Sequence, residues 1–260
     1  MIILKIGGSV ITNKAKKQSF KSDVMTNIAK SIKKANKEII IIHGAGSFGH
    51  ILAKKFDLNQ GFKNKNQLLG FAETLSMVQE LNNLVLNALN GQKIPTISIS
   101  PHNILKLKNH KLSKIDYNIF KDYLSKGFTP VTFGDVALDE KLGFSICSGD
   151  LLIEILSKKF RPEKVIFAID EDGLYTSNPK KEKKAELIKE TTYKKLDKLS
   201  TSLDSHDDVT GGMGGKIKMI ENISKLGIDT ILLNGNKADR LFKSLIGQKT
   251  TQTIVYGVKK

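Results

Sequence analysis

The fold is indicated first by the stretch MIILKIGGS, residues 1–9. The run Ile2–Ile6 is apolar apart from Lys5, has the length of a strand, and is ended by two glycines. The same pattern returns at Glu38–His43, which the segment GAGSFG follows, and a third buried run spans Lys164–Ile169. Continuous apolar strands of this length are typical of parallel sheets that are covered on both faces.

Helical spacing of apolar residues separates these strands. It predicts helices that start at Ser22 or Asp23 and that cover Gln67–Leu89, Leu151–Lys159 and Gly214–Leu226. Further strands are predicted at Ile94–Ser98, Pro130–Phe133, Thr230–Leu233 and Gln252–Tyr256, with a hairpin of Val136–Leu138 and Phe144–Ile146. The alternation predicts an α/β fold, a three-layer αβα sandwich with a mainly parallel central sheet. We expect a single domain over residues 1–260, in two halves that meet after Arg161.

Composition narrows the classes of function. The chain has 260 residues and a net charge of +16, but Arg161 and Arg240 are its only arginines. Base readout in nucleic acids favours arginine, and the lysines are scattered, so small anionic ligands explain the charge better than nucleic acid. No apolar run approaches the roughly 20 residues of a membrane helix. Cys147 is the sole cysteine, so no intramolecular disulfide can form, and we expect a cytoplasmic protein.

Three glycine-rich segments stand at predicted strand ends or helix starts: residues 7–9, 44–50 and 211–216. Glycine lets backbone N–H groups approach a phosphate closely, and a following helix N-terminus adds positive potential. Any one segment could be only a tight turn. Because Lys5 and Lys216 accompany two of them, the three together predict a site that holds several phosphates.

Two common phosphate-binding motifs do not fit. A P-loop requires serine or threonine after its lysine, whereas Ile217 follows Lys216. The spacing G-x-G-x-x-G occurs at residues 44–49, but the acidic residue about 20 positions later, Glu73, falls inside a predicted helix. Binding of a nicotinamide dinucleotide is therefore disfavoured.

The motifs instead resemble the amino acid kinase superfamily. The resemblance rests on KIGGS (5–9), GDV (134–136), SGD (148–150), DEDGLY (170–175) and DVTGGMGGK (208–216), in matching order over almost the whole chain. Within it, HGAGSFGH (43–50) and Lys14 are similar to the isopentenyl phosphate kinases. Ala45 departs from their pattern, which usually has glycine there. Alanine tolerates positive φ poorly, so we expect an ordinary backbone conformation at Ala45.

The resemblance implies an ATP-dependent kinase that phosphorylates isopentenyl phosphate to isopentenyl diphosphate, in isoprenoid biosynthesis by an archaeal-type mevalonate route. It also implies an acceptor-binding half at residues 1–161, a nucleotide-binding half at 162–260, a homodimer, and Mg²⁺ held mainly through the ATP phosphates. Two alternatives stay open. One is a related kinase of another small anionic acceptor such as fosfomycin, and the other is a basic nucleic-acid-binding or regulatory protein on a kinase scaffold.

By the same resemblance, catalysis is assigned to Lys5, Lys14, His50, Asp150 and Lys216. Lys5 bridges the phosphates, Lys14 stabilises the transferring group, and Lys216 holds ATP phosphates. Asp150 orients the lysines, and His50 donates a hydrogen bond to the acceptor phosphate. The competing interpretations are a solvated lysine run for Lys14 and a helix cap for Asp150.

Binding residues follow in the same way. The nucleotide is assigned to Lys5, Gly7, Gly8, Ser9, Gly46, Asp170, Tyr175, Gly212 and Lys216. The acceptor is assigned to Ala45, Gly46, His50, Ser148 and Gly149. No cluster of residues has metal-ligand spacing, so no protein-held metal is expected.

An isoprenyl tail needs an apolar pocket, for which Phe71, Leu75, Val78 and Ile146 are candidates, with core packing as the alternative. His43, at a strand end, is predicted to be structural. Three further histidines have no functional residues near them in the sequence pattern: His102, His110 and His206.

Overall fold

The computed structural model describes residues 1–13, 16, 18–196 and 212–259. The strands are β1 (Ile2–Ile6), β2 (Ile39–His43), β3 (Thr96–Ser98), β4 (Leu105–Lys108), β5 (Lys111–Ile115), β6 (Thr129–Phe133), β7 (Asp135–Asp139), β8 (Gly143–Cys147), β9 (Lys164–Ile169), β10 (Leu174–Tyr175), β11 (Leu187–Ile188), β12 (Glu190–Thr192), β13 (Asp229–Asn234) and β14 (Thr253–Tyr256). The helices are α1 (Gly8–Ile11), α2 (Ser22–Ala35), α3 (Gly46–Lys55), α4 (Asn66–Gly91), α5 (Pro101–Ile104), α6 (Asn118–Ser125), α7 (Gly149–Phe160), α8 (Gly212–Lys225) and α9 (Ala238–Leu245), with a 3-10 turn at Leu58–Gln60.

One sheet runs through both predicted halves of the chain. Its strand order among the described residues is β12-β14-β13-β9-β1-β2-β6-β3. Neighbouring strands are parallel except for the pair β13–β14. The predicted α/β architecture with a mainly parallel central sheet is confirmed, and β1 lies in its interior between β9 and β2.

Two apolar cores cover the two faces of this sheet, which makes the three layers. On β1, Ile2, Leu4 and Ile6 pack into the core beneath α2, α4 and α9, whereas Ile3 packs into the core beneath α6, α7 and α8. Side chains alternate along a strand, so Lys5 points to the same face as Ile3. The strand therefore places the Lys5 side chain on the face of the sheet that is covered by α7 and α8.

A second, four-stranded sheet has the order β5-β4-β7-β8. The predicted hairpin is confirmed as β7 and β8, which pair antiparallel. The strands β4 and β5 are not predicted from the sequence because each is short and has only two apolar residues. Along β4 leucine and lysine alternate, and Leu105 and Leu107 are buried while Lys106 and Lys108 are exposed.

Two connections complete the picture. The lysine-rich segment 180–184 lies in the connection between β10 and β11, which form an antiparallel pair. The helix α7 ends at Phe160, and the left-handed conformation of its C-cap Arg161 (φ 47°) turns the chain into β9. No helix in the described part of the chain is long and apolar enough to cross a membrane.

Candidate active site

Four glycines mark the carboxyl-end edge of the central sheet, each directly after a parallel strand. In each case the glycine N–H donates a hydrogen bond to a carbonyl oxygen at the end of the neighbouring strand. The pairs are Gly7 to Ala168 (2.8 Å), Gly44 to Ile6 (3.0 Å), Gly134 to His43 (2.9 Å) and Gly235 to Ile169 (2.8 Å). Ligands of open α/β sheets bind at this edge, so the four glycine turns together form one candidate site.

The two N-terminal glycine segments touch each other across this edge. A Cβ atom built on Gly8 would lie 2.6 Å from the amide nitrogen of Gly46, and one built on Gly44 would lie 2.7 Å from that of Gly8. Real Cβ atoms do not approach other atoms so closely. Glycine is therefore required at both positions for close backbone approach, rather than for turn conformation alone.

Both segments are also more helical than the sequence suggests. Residues 8–11 form the short helix α1, and α3 begins at Gly46, so the glycine-rich stretch supplies the first turn of α3. Gly46 has a positive φ of 52°. Ala45 has the ordinary helical conformation (φ −68°, ψ −21°) that was expected where alanine replaces glycine.

A buried charge cluster stands at the centre of the edge. The Lys5 ammonium donates a hydrogen bond to Asp150 Oδ1, and Lys216 Nζ lies 3.4 Å from Asp150 Oδ2. The side chains of Lys5, Asp150 and Lys216 are only 8%, 14% and 16% exposed. The structure thus brings together three of the five residues assigned to catalysis, from β1, α7 and α8.

Burial and charge shift the pKa values within this cluster. Loss of solvent, together with the neighbouring Lys216 charge, lowers the pKa of Lys5 to about 8, although Asp150 opposes the shift. Burial alone would raise the pKa of Asp150, but the two ammonium groups hold it well below its usual range. The cluster is therefore an ionised carboxylate shared by two cations, with a net positive charge at neutral pH.

Asp150 is available for these ion pairs because another residue caps its helix. Ser148 is the N-cap of α7, and its side chain accepts a hydrogen bond from the Leu151 N–H at 3.0 Å. The helix-cap alternative for Asp150 is therefore wrong. The carboxylate sits in the first turn of α7, where the helix dipole also favours its charge.

Backbone amides from the other predicted acceptor residues converge beside the cluster. A Cβ atom built on Gly134 would lie 3.4 Å from the amide nitrogens of both Ala45 and Gly149. A Cβ atom built on Gly149 would in turn lie 3.2 Å from Cε of Lys5. Residues far apart in sequence thus bring their backbone amides together next to the Lys5 side chain.

His50 lies one turn into α3 and is partly exposed. His43, by contrast, is fully buried and stacks on Phe133, with a hydrogen-bonding distance of 3.2 Å to Asn82 Oδ1. Burial lowers the pKa of His43 to about 4, so it is neutral at physiological pH. This is the packed setting expected of a structural histidine.

The residues assigned to the adenosine part of the nucleotide follow β9. Asp170 is exposed, and its Oδ2 lies 3.7 Å from Lys180 Nζ, which also lies 2.8 Å from Glu171 Oε1. Tyr175 is on β10, where burial and the charges of nearby acidic residues raise its pKa. Both stand at the same edge of the sheet as the charge cluster.

A match to the amino acid kinase family covers residues 1–234. The chain belongs to the amino acid kinase family. The resemblance found in the motifs is therefore confirmed.

Among curated proteins, this amino acid kinase is 38% identical over 267 aligned positions to the isopentenyl phosphate kinase of Methanothermobacter thermautotrophicus, with 99% of each chain covered. It is 35% identical to the isopentenyl phosphate kinase of Methanocaldococcus jannaschii, over 95% of this chain and 96% of that one. A solved isopentenyl phosphate kinase matches with a TM-score of 0.85 at 34% identity, over 98% of this chain and 100% of that one.

Several assigned residues of this amino acid kinase lie outside the part of the chain that the structure describes. Lys14 lies outside the described residues, as do residues 208–211 of the motif DVTGGMGGK and His206. Gly212 is described as the first residue of α8, the helix that carries Lys216. Ser9 lies in α1, and its carbonyl oxygen accepts a hydrogen bond from Lys21 at 3.0 Å.

The candidate tail residues divide into two groups. Phe71, Leu75 and Ile146 are partly buried and pack on a small apolar cluster of Ala53, Leu58, Val136 and Phe144. The Phe71 and Phe144 rings are 5.2 Å apart. Val78 is 1% exposed, and one of its methyl groups would be 2.8 Å from a Cβ built on Gly49, so core packing describes it better.

His102 has an acidic partner that the sequence pattern does not reveal. Its Nδ1 lies 2.7 Å from Oδ2 of Asp135, a fully buried carboxylate in the GDV motif. The pairing depends on a return of the chain from α5 to β7, which sequence spacing does not reveal. His110 is bound through its backbone N–H to Asp139 at 2.9 Å and anchors a turn.

Sequence reasoning also misses residues that build the site. Gly235 completes the row of strand-end glycines, and Asn-Gly after a strand is the signal that could have indicated it. Arg240 lies 2.6 Å from Asp172 of the DEDGLY motif, and Asn234 donates to the same carboxylate oxygen at 3.0 Å. Thr12, whose hydroxyl contacts both N-terminal glycine segments, is a further such residue.

Metal ligation by side chains finds no support in the described ranges. There, no three His, Cys, Asp or Glu side chains are grouped so that they could hold a metal ion. The Asp150 carboxylate is engaged on both oxygens by lysines. Metal held through the nucleotide phosphates therefore stays the prediction that fits the chemistry of this edge.

Proposed function

We propose that this protein transfers the γ-phosphoryl group of ATP to isopentenyl phosphate, which gives isopentenyl diphosphate and ADP. An oxygen of the acceptor phosphate forms a bond to the γ-phosphorus, and the bond from that phosphorus to the β–γ bridging oxygen breaks. The electron pair of the broken bond stays with ADP. No group is oxidised or reduced, and no covalent enzyme intermediate is required.

The observation that carries the proposal is the shared carboxylate of Asp150 between Lys5 and Lys216, directly beside backbone from three glycine turns. Transfer between two phosphates is opposed by their mutual repulsion, so catalysis depends on positioning and cationic stabilisation. Two ammonium groups in a weakly solvated setting supply that stabilisation. Similarity to isopentenyl phosphate kinases over 99% of the chain supports the choice of acceptor.

Each lysine has a distinct part in this reaction. Lys5, at the end of the interior strand β1, contacts phosphates on both sides of the transfer point. Lys216, in the first turns of α8, holds the ATP phosphates, together with the glycines at the start of that helix. Asp150 pairs with both ammonium groups and limits their rotation. Lys14 stabilises the transferring group, a role supported by the family motif.

The acceptor phosphate binds near Gly134. The amide nitrogens of Ala45 and Gly149 lie beside this glycine, and backbone N–H groups are good ligands for a phosphate. His50 donates a hydrogen bond to the same phosphate from α3. The isoprenyl tail contacts Phe71, Leu75 and Ile146, which pack between α4 and the β7–β8 hairpin.

The cofactor and cellular setting follow from the same resemblance. Mg²⁺ reaches the site with ATP and neutralises part of the phosphate charge. Family membership supports a cytoplasmic homodimer, and the acceptor chemistry supports a place in isoprenoid biosynthesis by an archaeal-type mevalonate route. Residues 1–161 and 162–260 serve mainly the acceptor and the nucleotide, since β2 and β6 lie on one side of β1 and β9 and β13 on the other.

The test is release of ADP from Mg·ATP by one purified sample that is offered isopentenyl phosphate, fosfomycin, UMP, N-acetylglutamate or glutamate. We expect turnover with isopentenyl phosphate to exceed turnover with each other acceptor by at least ~100-fold, because only it offers both a phosphate and an apolar tail. Mass spectrometry identifies the product as isopentenyl diphosphate. Preferential turnover of another acceptor would overturn the proposal.

A further inference from the structure

Thr12 joins the two glycine segments of the site through its side chain. It follows α1 and is 1% exposed. Its hydroxyl donates a hydrogen bond to the Gly8 carbonyl oxygen at 2.7 Å and accepts one from the Ser47 N–H at 3.0 Å. Gly8 belongs to the segment assigned to the nucleotide, and Ser47 belongs to the segment assigned to the acceptor.

The contact is too close to tolerate a change in either segment. A Cβ atom built on Gly46 would lie 2.3 Å from Thr12 Oγ1 and 2.7 Å from its methyl carbon. Gly46 also has a positive φ, so its lack of a side chain serves both conformation and contact. The first turn of α3 therefore rests directly on the Thr12 side chain.

Thr12 is also held through its backbone. It forms an isolated antiparallel bridge with Phe20, and the Asn13 N–H donates to the Ser19 carbonyl oxygen at 3.0 Å. These contacts pair residues 12 and 13 with residues 19 and 20. One buried side chain thus adjoins the nucleotide turn and the acceptor turn, and a bridge of its own holds its backbone.

We propose that Thr12 is a positioning residue that sets the distance between the donor and acceptor phosphates. The inference deepens the proposed phosphoryl transfer and rests on it. Phosphoryl transfer requires the attacking and leaving oxygens to be in line, and a misplacement of about 1 Å can lower the rate ~100-fold. A hydroxyl that bonds to both turns fixes their separation without contacting either substrate.

The decisive variant is Thr12→Val, which replaces the hydroxyl by a methyl group of similar size. It leaves the buried Ser47 N–H without its acceptor. A methyl carbon also needs about 3.5 Å or more where the oxygen sits closer to the Ser47 nitrogen, so the turns move apart by about 0.5 Å. We expect kcat to fall ~10- to 100-fold, while KM for ATP and for the acceptor change less than about threefold.

Three further variants separate alignment from folding. Thr12→Ser keeps the hydroxyl and should restore kcat to within about threefold of the wild type. Thr12→Ala removes the hydrogen bonds without adding the methyl contact, so it serves if the valine variant does not fold, and should lower kcat several-fold. Thr230→Val makes the same atomic change at a fully buried threonine near the start of β13, at the opposite end of the sheet, and should leave kcat unchanged.

The inference fails if Thr12→Val keeps kcat within threefold of the wild type, if only KM changes, or if Thr12→Ser is as slow as Thr12→Val. A measurement without substrate separates it from the proposed function. Hydrogen exchange of the peptide covering residues 44–50 should be faster in Thr12→Val than in the wild type or Thr230→Val. Unchanged exchange would also overturn it. If another acceptor is the true one, the same kinetic comparison is made with that acceptor.

Discussion

The strand-end edge and the small sheet with its apolar cluster are built on opposite principles. At the edge, backbone meets backbone so closely that a carbon added to Gly8 or Gly44 would approach within 2.6–2.7 Å, and the charges of Lys5 and Asp150 are nearly buried. Beside the small sheet, partly buried side chains such as Phe71 and Ile146 pack on an apolar cluster that carries no charge. Under the proposed function, the edge binds the phosphates and the apolar cluster contacts the tail of the acceptor.

The largest effect is expected at the centre of the edge, from Asp150→Asn. It removes the one negative charge between two buried ammonium groups, which then repel each other and lose their orientation. We expect kcat to fall about 100- to 1000-fold and stability to fall by about 3 kcal/mol. Steady-state kinetics and chemical denaturation check both numbers. A variant that keeps more than a tenth of the wild-type kcat would remove the cluster from catalysis.

The next effect tests how closely the edge is packed. Gly46→Ala adds a carbon at a positive φ and 2.3 Å from Thr12 Oγ1, so the acceptor turn must move. We expect a loss of about 1–2 kcal/mol from the backbone conformation alone, and a fall in kcat of at least ~10-fold. Gly127→Ala, at a glycine that also has a positive φ but has nothing within 4 Å, is the matched control and should have wild-type kinetics.

The variant His50→Ala tests whether His50 binds the acceptor and not the nucleotide. A hydrogen bond to a charged group contributes about 1.5–3 kcal/mol, which corresponds to a ~10- to 100-fold rise in KM for the acceptor. KM for ATP should stay within about twofold of the wild type. Equal losses for both substrates would contradict the assignment of His50 to the acceptor.

The apolar cluster should respond less. Phe71→Ala removes a ring that packs 5.2 Å from Phe144, and we expect a rise of about threefold in KM for isopentenyl phosphate. The kcat value and KM for ATP should not change, because the phosphates do not contact this cluster. Kinetics are measured well below the melting temperature, and a tenfold fall in kcat would mean that the two regions are coupled.

The smallest expected effect is a pH dependence centred on Lys5. Its pKa is lowered to about 8, so the ammonium is lost as pH rises through that value, and kcat/KM for ATP should be halved near pH 8. The unfolded chain keeps this proton to a higher pH, so the same group adds stability as pH rises above 8. Activity should therefore fall while circular dichroism shows a folded protein. A flat profile between pH 7 and 9 would contradict the assigned pKa.

The sequence predicts the edge better than its surroundings for a physical reason. Lys5, Asp150 and Lys216 stand in motifs whose chemistry can be read locally, because a lysine in a buried apolar strand is rare and the other two residues directly follow glycines. The strands β4 and β5 are not predicted because each is short and has only two apolar residues.

Long-range contacts explain why the sequence alone does not predict the roles of the remaining site residues. Thr12 looks like an ordinary residue until Gly46, 34 positions later, is found against its side chain. Likewise, Ser148 rather than Asp150 caps α7, and only the ion pairs with Lys5 and Lys216 show what the carboxylate does instead. The contact between Thr12 and Gly46 and the ion pairs of Asp150 cannot be read from local sequence spacing, because they depend on the order of distant strands in the sheet.

The central claim is tested most directly by a crystal structure with a non-hydrolysable ATP analogue and isopentenyl phosphate bound together. The account predicts that Lys5 Nζ lies within about 3.2 Å of an oxygen of the γ-phosphate and of the acceptor phosphate, with Asp150 still bound to both lysines. It also predicts the acceptor phosphate against the backbone of Ala45 and Gly149. Phosphates bound at the edge but more than about 6 Å from Lys5 would contradict the account.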